Sequence, residues 1–202
     1  MTPPKPRVPP GRAGRVWVLA RLETSRRAAD LLDRKLRILQ SELAGLKETA
    51  AETAAQWDAC QAEARTWLLY AALLGGERAI RLGEDGQVAD VQVRYETTMG
   101  IRHPATASCT VPPALTWDSP VMARARQAHR AALAAAARHA AVTASVRMID
   151  EEVRVTMYRL RAIQDRWIPG LEQVLVDVTF AIEELERADA ARLRLALGPA
   201  RS

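Results

Sequence analysis

Residues 22–74 decide the fold, and they read LETSRRAADLLDRKLRILQSELAGLKETAAETAAQWDACQAEARTWLLYAALL. Two positions of a seven-residue repeat stay in phase through the whole stretch. A strict heptad repeat with mostly apolar residues at two positions is the pattern of a left-handed coiled coil. The segment therefore predicts one long helix whose seam packs against a second helix. The seam residues are Leu22, Ala29, Leu36, Leu43, Ala50, Trp57, Ala64 and Ala71 at one position, and Ser25, Leu32, Leu39, Leu46, Thr53, Cys60, Trp67 and Leu74 at the other.

A second helix is expected to begin near Ser119-Pro120, because serine accepts a backbone hydrogen bond as an N-cap and proline fits the first helical turn. Asp118 is the alternative cap. The helix is expected to end at Gly198-Pro199, since glycine favours the residue after a helix C-terminus. Its seam advances by alternating steps of three and four residues, through Ala125, Ala128, Ala132, Ala135, His139, Val142, Val146, Ile149, Val153, Thr156, Leu160, Ile163 and Trp167.

The seam of the second helix changes phase at Pro169. The slip is four residues, a stutter, which locally unwinds a supercoil. Proline also lacks a backbone N–H and crowds the carbonyl four residues earlier, so we expect a bend there. Beyond Pro169 the apolar stripe continues at Leu171, Val174, Leu175, Val178, Ile182 and Leu185.

The segment between the helices, from Gly75-Gly76 to Trp117, contains glycines, prolines and β-forming residues. Ile80-Arg81-Leu82 and the alternating run from Val88 to Tyr95 flank Glu84-Asp85-Gly86. This arrangement predicts two short strands around an Asp-Gly turn.

The predicted fold is all-α: a long antiparallel two-helix left-handed coiled coil with a small central insert that contains a short β-hairpin. The expected boundaries are a disordered, basic, proline-rich tail over 1–14, a first helix over 15–75, the insert over 76–118, a second helix over 119–197, and a tail over 198–202.

A loop centred near residue 97 makes the numbers of facing residues sum to roughly 195. Trp57 then lies near Arg138, and Trp67 lies near Ala128. The bulky residues of the first helix meet the alanine-rich stretch of the second, and large against small allows close packing. The same sum leaves residues beyond about 180 without a partner, so we expect the C-terminal end to project as a single helix.

The formal net charge is +5, which by itself favours contact with nucleic acid or an anionic membrane. Lys5, Arg7, Arg12 and Arg15 are among the five basic residues that precede the first acidic residue, Glu23. The rest of the chain is therefore nearly neutral, and we expect no nucleic-acid partner.

No apolar stretch has the length of a membrane span, and the proline-rich N-terminal segment has no apolar run that can serve as a secretory signal. Cys60 and Cys109 are too few for a disulfide framework and have no ligand partner at metal-binding spacing. A reducing, cytoplasmic location is expected.

Three histidines, His103, His129 and His139, have no metal-binding or acid–base motif around them. His139 falls on the seam, where a polar residue helps to set register. Gly75-Gly76 lies in no phosphate-binding motif. We therefore expect no metal, no cofactor and no nucleotide site.

Acidic clusters at Asp150-Glu151-Glu152 and at Glu183-Glu184 with Glu186 lie on amphipathic helices, and we interpret them as solvated faces rather than catalytic carboxylates. No catalytic residue is predicted. The basic residues are interpreted mainly as helix-surface ion pairs, with phosphate binding as the alternative. They are Arg26, Arg27, Arg34 and Arg37 on the first helix and Arg124, Arg126 and Arg130 on the second.

The stretch LARLETSRRAADLLDRKLRIL, residues 19–39, resembles the first-helix signature of the D subunit of the V-type and archaeal-type rotary ATPases. Leu160-Arg161-Ala162-Ile163, followed by residues 167–172, WIPGLE, resembles the second-helix motif of that family. Thr98-Met99-Gly100-Ile101 stands where the family has a methionine-glycine turn ahead of a proline. The resemblance covers about residues 16–195.

The resemblance implies a rotor shaft in the central stalk of a V/A-type ATPase, which transmits torque between ATP turnover and proton or sodium translocation. It implies one copy per complex and, as partners, a hexamer of A and B subunits, the F subunit and a membrane-side adaptor. It also implies a non-catalytic chain on the inner face of the membrane, without direct membrane insertion. The alternatives are a coiled-coil adaptor or scaffold unrelated to ATPases, and a nucleic-acid-binding arm.

Overall fold

The computed structural model describes residues 8–82, 88–113 and 119–198. Its elements are helix α1 (Gly11–Leu82), strands β1 (Asp90–Thr98) and β2 (Ile101–Thr110), helix α2 (Pro120–Ala162), a π-helical turn (Ile163–Trp167) and helix α3 (Ile168–Leu197). Two long helical segments with a two-stranded antiparallel hairpin between them confirm the predicted fold class. Of the expected tails over 1–14 and 198–202, residues 1–7 and 199–202 lie outside the described residues.

Helix α1 is longer than expected at both ends. It begins at Gly11 rather than at residue 15, and it continues to Leu82 rather than ending at residue 75. Gly76 interrupts it with φ 68° and ψ 173°. A positive φ costs glycine little because it has no Cβ, so this residue turns the chain and a short helical piece follows it. Ile80-Arg81-Leu82 is therefore helical, and its prediction as a strand is wrong.

The heptad seam of α1 is confirmed by burial, which is complete or partial from Leu22 through Ala71. Leu74 is the exception, because 76% of it is exposed. Met122 and Ala125, at the start of α2, pack around Ala71. Leu74 lies almost one turn beyond Ala71 in α1, so its inclusion in the seam is wrong: periodicity continues where the partner helix has ended.

Helix α2 begins as predicted. The backbone N–H of Met122 donates to the Ser119 hydroxyl at 3.3 Å, and the N–H of Ala123 donates to the Ser119 carbonyl at 2.9 Å. The second seam is buried or half-buried from Ala125 to Ile182. Leu185 is exposed, so the seam ends before it. Gly198 follows α3 with φ 64°, which confirms the predicted glycine stop.

The phase slip before Pro169 is taken up by the π-helical turn at Ile163–Trp167. The N–H of Ile168 donates to the carbonyl of Ile163, five residues earlier rather than four. A wider turn adds residues between successive seam positions, which matches the stutter. Pro169 then sits in the first turn of α3, directly after the π-helical turn, so its missing N–H falls where the helical hydrogen-bond pattern already changes. The bend expected at this point stays a prediction.

The hairpin lies later in the chain than predicted. Strand β1 contains most of the alternating run from Val88 to Tyr95, but its partner is β2 and the turn is Met99-Gly100. Both turn residues have positive φ, 50° and 85°, as a two-residue hairpin turn requires. The Asp85-Gly86 turn lies outside the described residues. One extra residue on β2 interrupts the register, since Arg94 pairs with Thr106 and Tyr95 pairs with Pro104.

The chain divides into two compact units, one formed by residues up to Leu36 together with those from Arg154 onward, the other by Arg37–Val153. A cluster of Val18, Leu22, Leu171 and Val174 forms a core in the first unit. Ala71, Met122 and Ala125 form one in the second, with Trp67 and Ile80 packed against them.

Candidate functional site

In the Arg37–Val153 unit, Trp57 of α1 and His139 of α2 align the two helices. Their rings are stacked, with centroids 5.6 Å apart and planes 21° from parallel. Thr53 Oγ1 lies 3.2 Å from His139 Nδ1, and Thr143 Oγ1 lies 3.4 Å from Nε2. These contacts confirm that Trp57 faces position 138 to within one residue, and that His139 is a polar contact at the seam. Stacking and hydrogen bonding together favour a single alignment of the two helices.

The second tryptophan of the α1 seam lies near the start of α2. Trp67 packs on the cluster that contains Met122 and Ala125, and the guanidinium of Arg124 lies 5.7 Å from its ring centre. Ala71 and Ala125 share this cluster, which agrees with a loop centred near residue 97. The contact of Trp67 with Ala128 itself stays a prediction.

A buried histidine holds the hairpin on α2. His103 is fully buried, with Nδ1 3.3 Å from Ser145 Oγ and Nε2 3.1 Å from Thr98 Oγ1. The Ser145 hydroxyl, also fully buried, lies within hydrogen-bond distance of the carbonyls of Pro104 and Ala141 and can donate to either. Unpaired polar groups are costly in such a place, so this network ties β2 to α2 in one arrangement. No sequence pattern indicated it beyond a histidine next to a proline.

The end of the insert is attached to α2 by an arginine of the second basic cluster. Arg130 donates to the carbonyl of Pro112 at 2.7 Å. Strand β1, by contrast, is exposed along almost its whole length, while His103, Pro104 and Ala107 of β2 are buried. The hairpin therefore presents β1 outwards.

In the other unit, Ser25 of α1 and Trp167 of the π-helical turn make the corresponding contact. The indole N–H of Trp167 donates to Ser25 Oγ at 3.0 Å, and that hydroxyl donates to the carbonyl of Arg21 at 2.8 Å. Ser25 is buried. The π-helical turn sets the position of Trp167. The irregularity in the seam therefore places the indole N–H where it can donate to Ser25.

Ion pairs join α1 and α3. Arg26 contacts Glu172 and Arg12 contacts Glu186, both at 2.8 Å. The hydrogen bond to Glu186, and then the charge of that carboxylate, raise the pKa of Arg12 above its usual value. A raised pKa favours the charged form in the fold, and that contribution is lost only at very alkaline pH. The expectation that residues beyond 180 have no partner is wrong for Glu186, while residues 187–196 are exposed.

The acidic clusters lie beside basic residues. Lys47 Nζ is 3.9 Å from Asp150, and Arg187 contacts both Glu183 and Glu184. Arg27 pairs with Glu23 on the same helix, as expected for a solvated face. Among residues 8–82, 88–113 and 119–198, no group of three or more His, Cys, Asp or Glu side chains is placed to hold a metal ion.

An exposed apolar patch lies on α1 just before Gly76. The heptad pattern did not indicate it, although the run WLLYAALL, residues 67–74, holds more large apolar residues than a heptad seam can use. Leu73 is 72% exposed. A contiguous apolar surface of this kind is typical of an interaction site for another protein or a membrane. The patch comprises Leu69, Tyr70, Leu73 and Leu74.

These features define a class of protein: a paired-helix subunit with specific side-chain contacts along its seam, a hairpin attached to one helix, and surfaces suited to protein contacts. Within the described parts of the chain, no helix is both long enough and apolar enough to cross a bilayer.

The chain belongs to the family of ATP synthase D subunits, whose profile matches residues 18–197. It is 25% identical over 193 residues to the D subunit of the V-type ATP synthase of Thermotoga neapolitana, with 93% of this chain and 95% of that protein covered. It is therefore a subunit of a rotary ATPase and assembles with other subunits of that complex.

Proposed function

We propose that this chain is the rotor shaft of the central stalk in a V/A-type rotary ATPase, and that it transmits torque between ATP turnover and ion translocation. The observation that carries the proposal is the pair of seam contacts, Trp57 with His139 and Ser25 with Trp167. A shaft that transmits torque must not let one helix slide along the other. Aromatic and hydrogen-bonded contacts resist sliding more than an alanine seam does, because each is lost when the register shifts.

The exposed surfaces suit distinct partners. The apolar patch of Leu69, Tyr70, Leu73 and Leu74 is proposed to contact another component of the stalk, the F subunit or the membrane-side adaptor. Residues 187–196, which are exposed near the end of α3, are proposed to enter the hexamer of A and B subunits. On this proposal the chain is present once per complex, is peripheral on the inner face of the membrane, and supplies neither a catalytic residue nor a cofactor.

Reconstitution tests the proposal. The purified chain is added to a hexamer of its cognate A and B subunits, and ATP hydrolysis and complex formation are measured. We expect a stable complex with altered turnover, while the isolated chain binds no ATP in calorimetry. Failure to bind the hexamer, or ATP binding by the isolated chain, contradicts the proposed shaft function.

A further inference from the structure

Strand β1 offers a free edge for strand pairing. In the described part of the chain the sheet has two strands, so β1 pairs with β2 on one side only. Natural edge strands are usually protected by lysine, proline or a bulge. β1 contains neither lysine nor proline, and the extra residue at the register irregularity belongs to β2. Its unpaired backbone groups are therefore arranged regularly enough to receive another strand.

The side chains of β1 are self-complementary about Gln92. Alternation puts Asp90, Gln92 and Arg94 on one face and Val91 and Val93 on the other. In an antiparallel pair centred on Gln92, Asp90 of one copy faces Arg94 of the second copy. Val91 faces Val93, and Gln92 faces Gln92. Directly opposed side chains in such a pair lie about 5 Å apart, close enough for a carboxylate and a guanidinium to meet.

Shifting the second copy along β1 so that the pair is centred on Val93 or Arg94 keeps the same side chains on each face. These two registers do not set unlike charges opposite each other at Asp90 and Arg94. A pair centred on Val93 sets Asp90 against Glu96 of the second copy, and a pair centred on Arg94 sets that arginine against itself. Like charges directly opposite each other destabilise a strand pair. A pair centred on Tyr95 also sets unlike charges opposite each other, Arg94 and Glu96, but it leaves Val91 opposite no residue of β1. Only the register centred on Gln92 combines unlike charges with valine facing valine.

We propose that β1 pairs with β1 of a second copy of this chain, antiparallel about a two-fold axis at Gln92, and joins two hairpins into one four-stranded sheet. Such an interface is isologous and closes at the dimer. Val91 and Val93, 48% and 40% exposed in the single chain, pack on their counterparts. A strand pair of this length buries less than a standard interface, so the dimer forms reversibly at high protein concentration.

The dimer is a state of the chain outside the ATPase complex, and the proposal stands apart from the shaft function. The test of the dimer uses the full chain alone. A negative result there leaves the shaft function intact, and a failed reconstitution with A and B subunits leaves the dimer proposal intact.

Charge exchange tests the pairing. The average mass of the wild type, measured by sedimentation over a dilution series, is expected to rise from 22.2 kDa towards twice that value. Asp90→Arg and Arg94→Asp each place like charges opposite each other, so each variant alone should stay monomeric. Their mixture restores opposite charges at both pairs and should dimerise, as should the double variant. Circular dichroism confirms that each variant is folded.

Arg102→Asp is the matched control, since it makes the same change of charge on β2 and should leave the dimer intact. A wild type that stays monomeric at every concentration overturns the proposal and leaves the edge to another protein. Single variants that dimerise like the wild type, or a mixture that stays monomeric, overturn it as well.

Discussion

The indole N–H of Trp167 donates a hydrogen bond to Ser25 Oγ at 3.0 Å, between residues that are 142 positions apart in the chain. Trp167 is the last residue of the π-helical turn, and Ser25 is a polar residue in the seam of α1. The π-helical turn and the serine both depart from an ideal apolar heptad. Because they contact each other, Ser25 fixes which residue of the π-helical turn lies opposite this position of α1.

Replacing Ser25 by alanine should therefore destabilise the protein. The indole N–H loses its partner in a half-buried place, and the expected cost is about 1–3 kcal/mol in the free energy of unfolding, measured by urea denaturation. Thr24→Ala is the control, because the Thr24 hydroxyl is exposed and bonds only within its own helix. Equal stability of the two variants contradicts the proposed role of this seam contact.

The alanine-rich side of α2 should not accept larger residues. Ala135 and Ala141 are buried, so leucine at either position overpacks the interior and should cost about 1–3 kcal/mol. Gln127 is exposed, and Gln127→Leu should change stability by no more than about 0.5 kcal/mol. Thermal unfolding of the three variants checks this prediction, and equal tolerance at all three sites contradicts it.

The attachment of the hairpin should depend on His103. His103→Ala leaves the buried Ser145 hydroxyl without one partner and opens space between β2 and α2, so amide hydrogen exchange in β1 and β2 should become faster. His129→Ala is the matched control, because His129 is exposed on the outer face of α2. If exchange in the hairpin is unchanged in the His103 variant, another contact holds the hairpin.

Truncation should separate folding from assembly at the C-terminal end. Removing residues 187–202 keeps the Arg12–Glu186 ion pair, so the paired helices should unfold at an unchanged temperature, while binding to the A and B hexamer should weaken. Removing residues from Phe180 onward also deletes Glu186 and half-buried Ile182, and should lower the unfolding temperature. A shorter chain that binds the hexamer as tightly as the full chain contradicts the proposed role of this end. Arginines of α1 and α3 are expected to meet acidic loops of the hexamer, so higher salt, which screens such contacts, should also weaken binding.

The apolar patch should be needed for assembly but not for folding. Leu73→Glu changes an exposed side chain, so stability should shift by no more than about 0.5 kcal/mol. Binding of a stalk partner, measured by calorimetry with the purified F subunit or the membrane-side adaptor, should weaken for at least one of them. Leu31→Glu is the control, since Leu31 is also exposed on α1 but lies outside the patch. Equal binding of both partners by the two variants contradicts the proposed contact.

The sequence by itself determined the helices, their caps at Ser119 and Gly198, and nearly all of the seam, because these depend on periodicity and local hydrogen bonding. The alignment of Trp57 with His139 was predicted to within one residue from a loop centred near residue 97. These are relations between residues at short or regular spacing, and a single chain displays them directly.

Only the tertiary structure decided where the packed seam ends and which residues of the heptad pattern stay exposed. Leu74 and Leu185 continue the heptad pattern but lie outside the packed seam, because burial depends on the neighbouring helix and not on periodicity. The strands pair around Met99-Gly100 although Asp-Gly is the stronger local turn signal, because β1 finds its partner in β2. His103 became a buried contact only when β2 was packed on α2, since its partners Thr98 and Ser145 come from separate elements and no local pattern connects them.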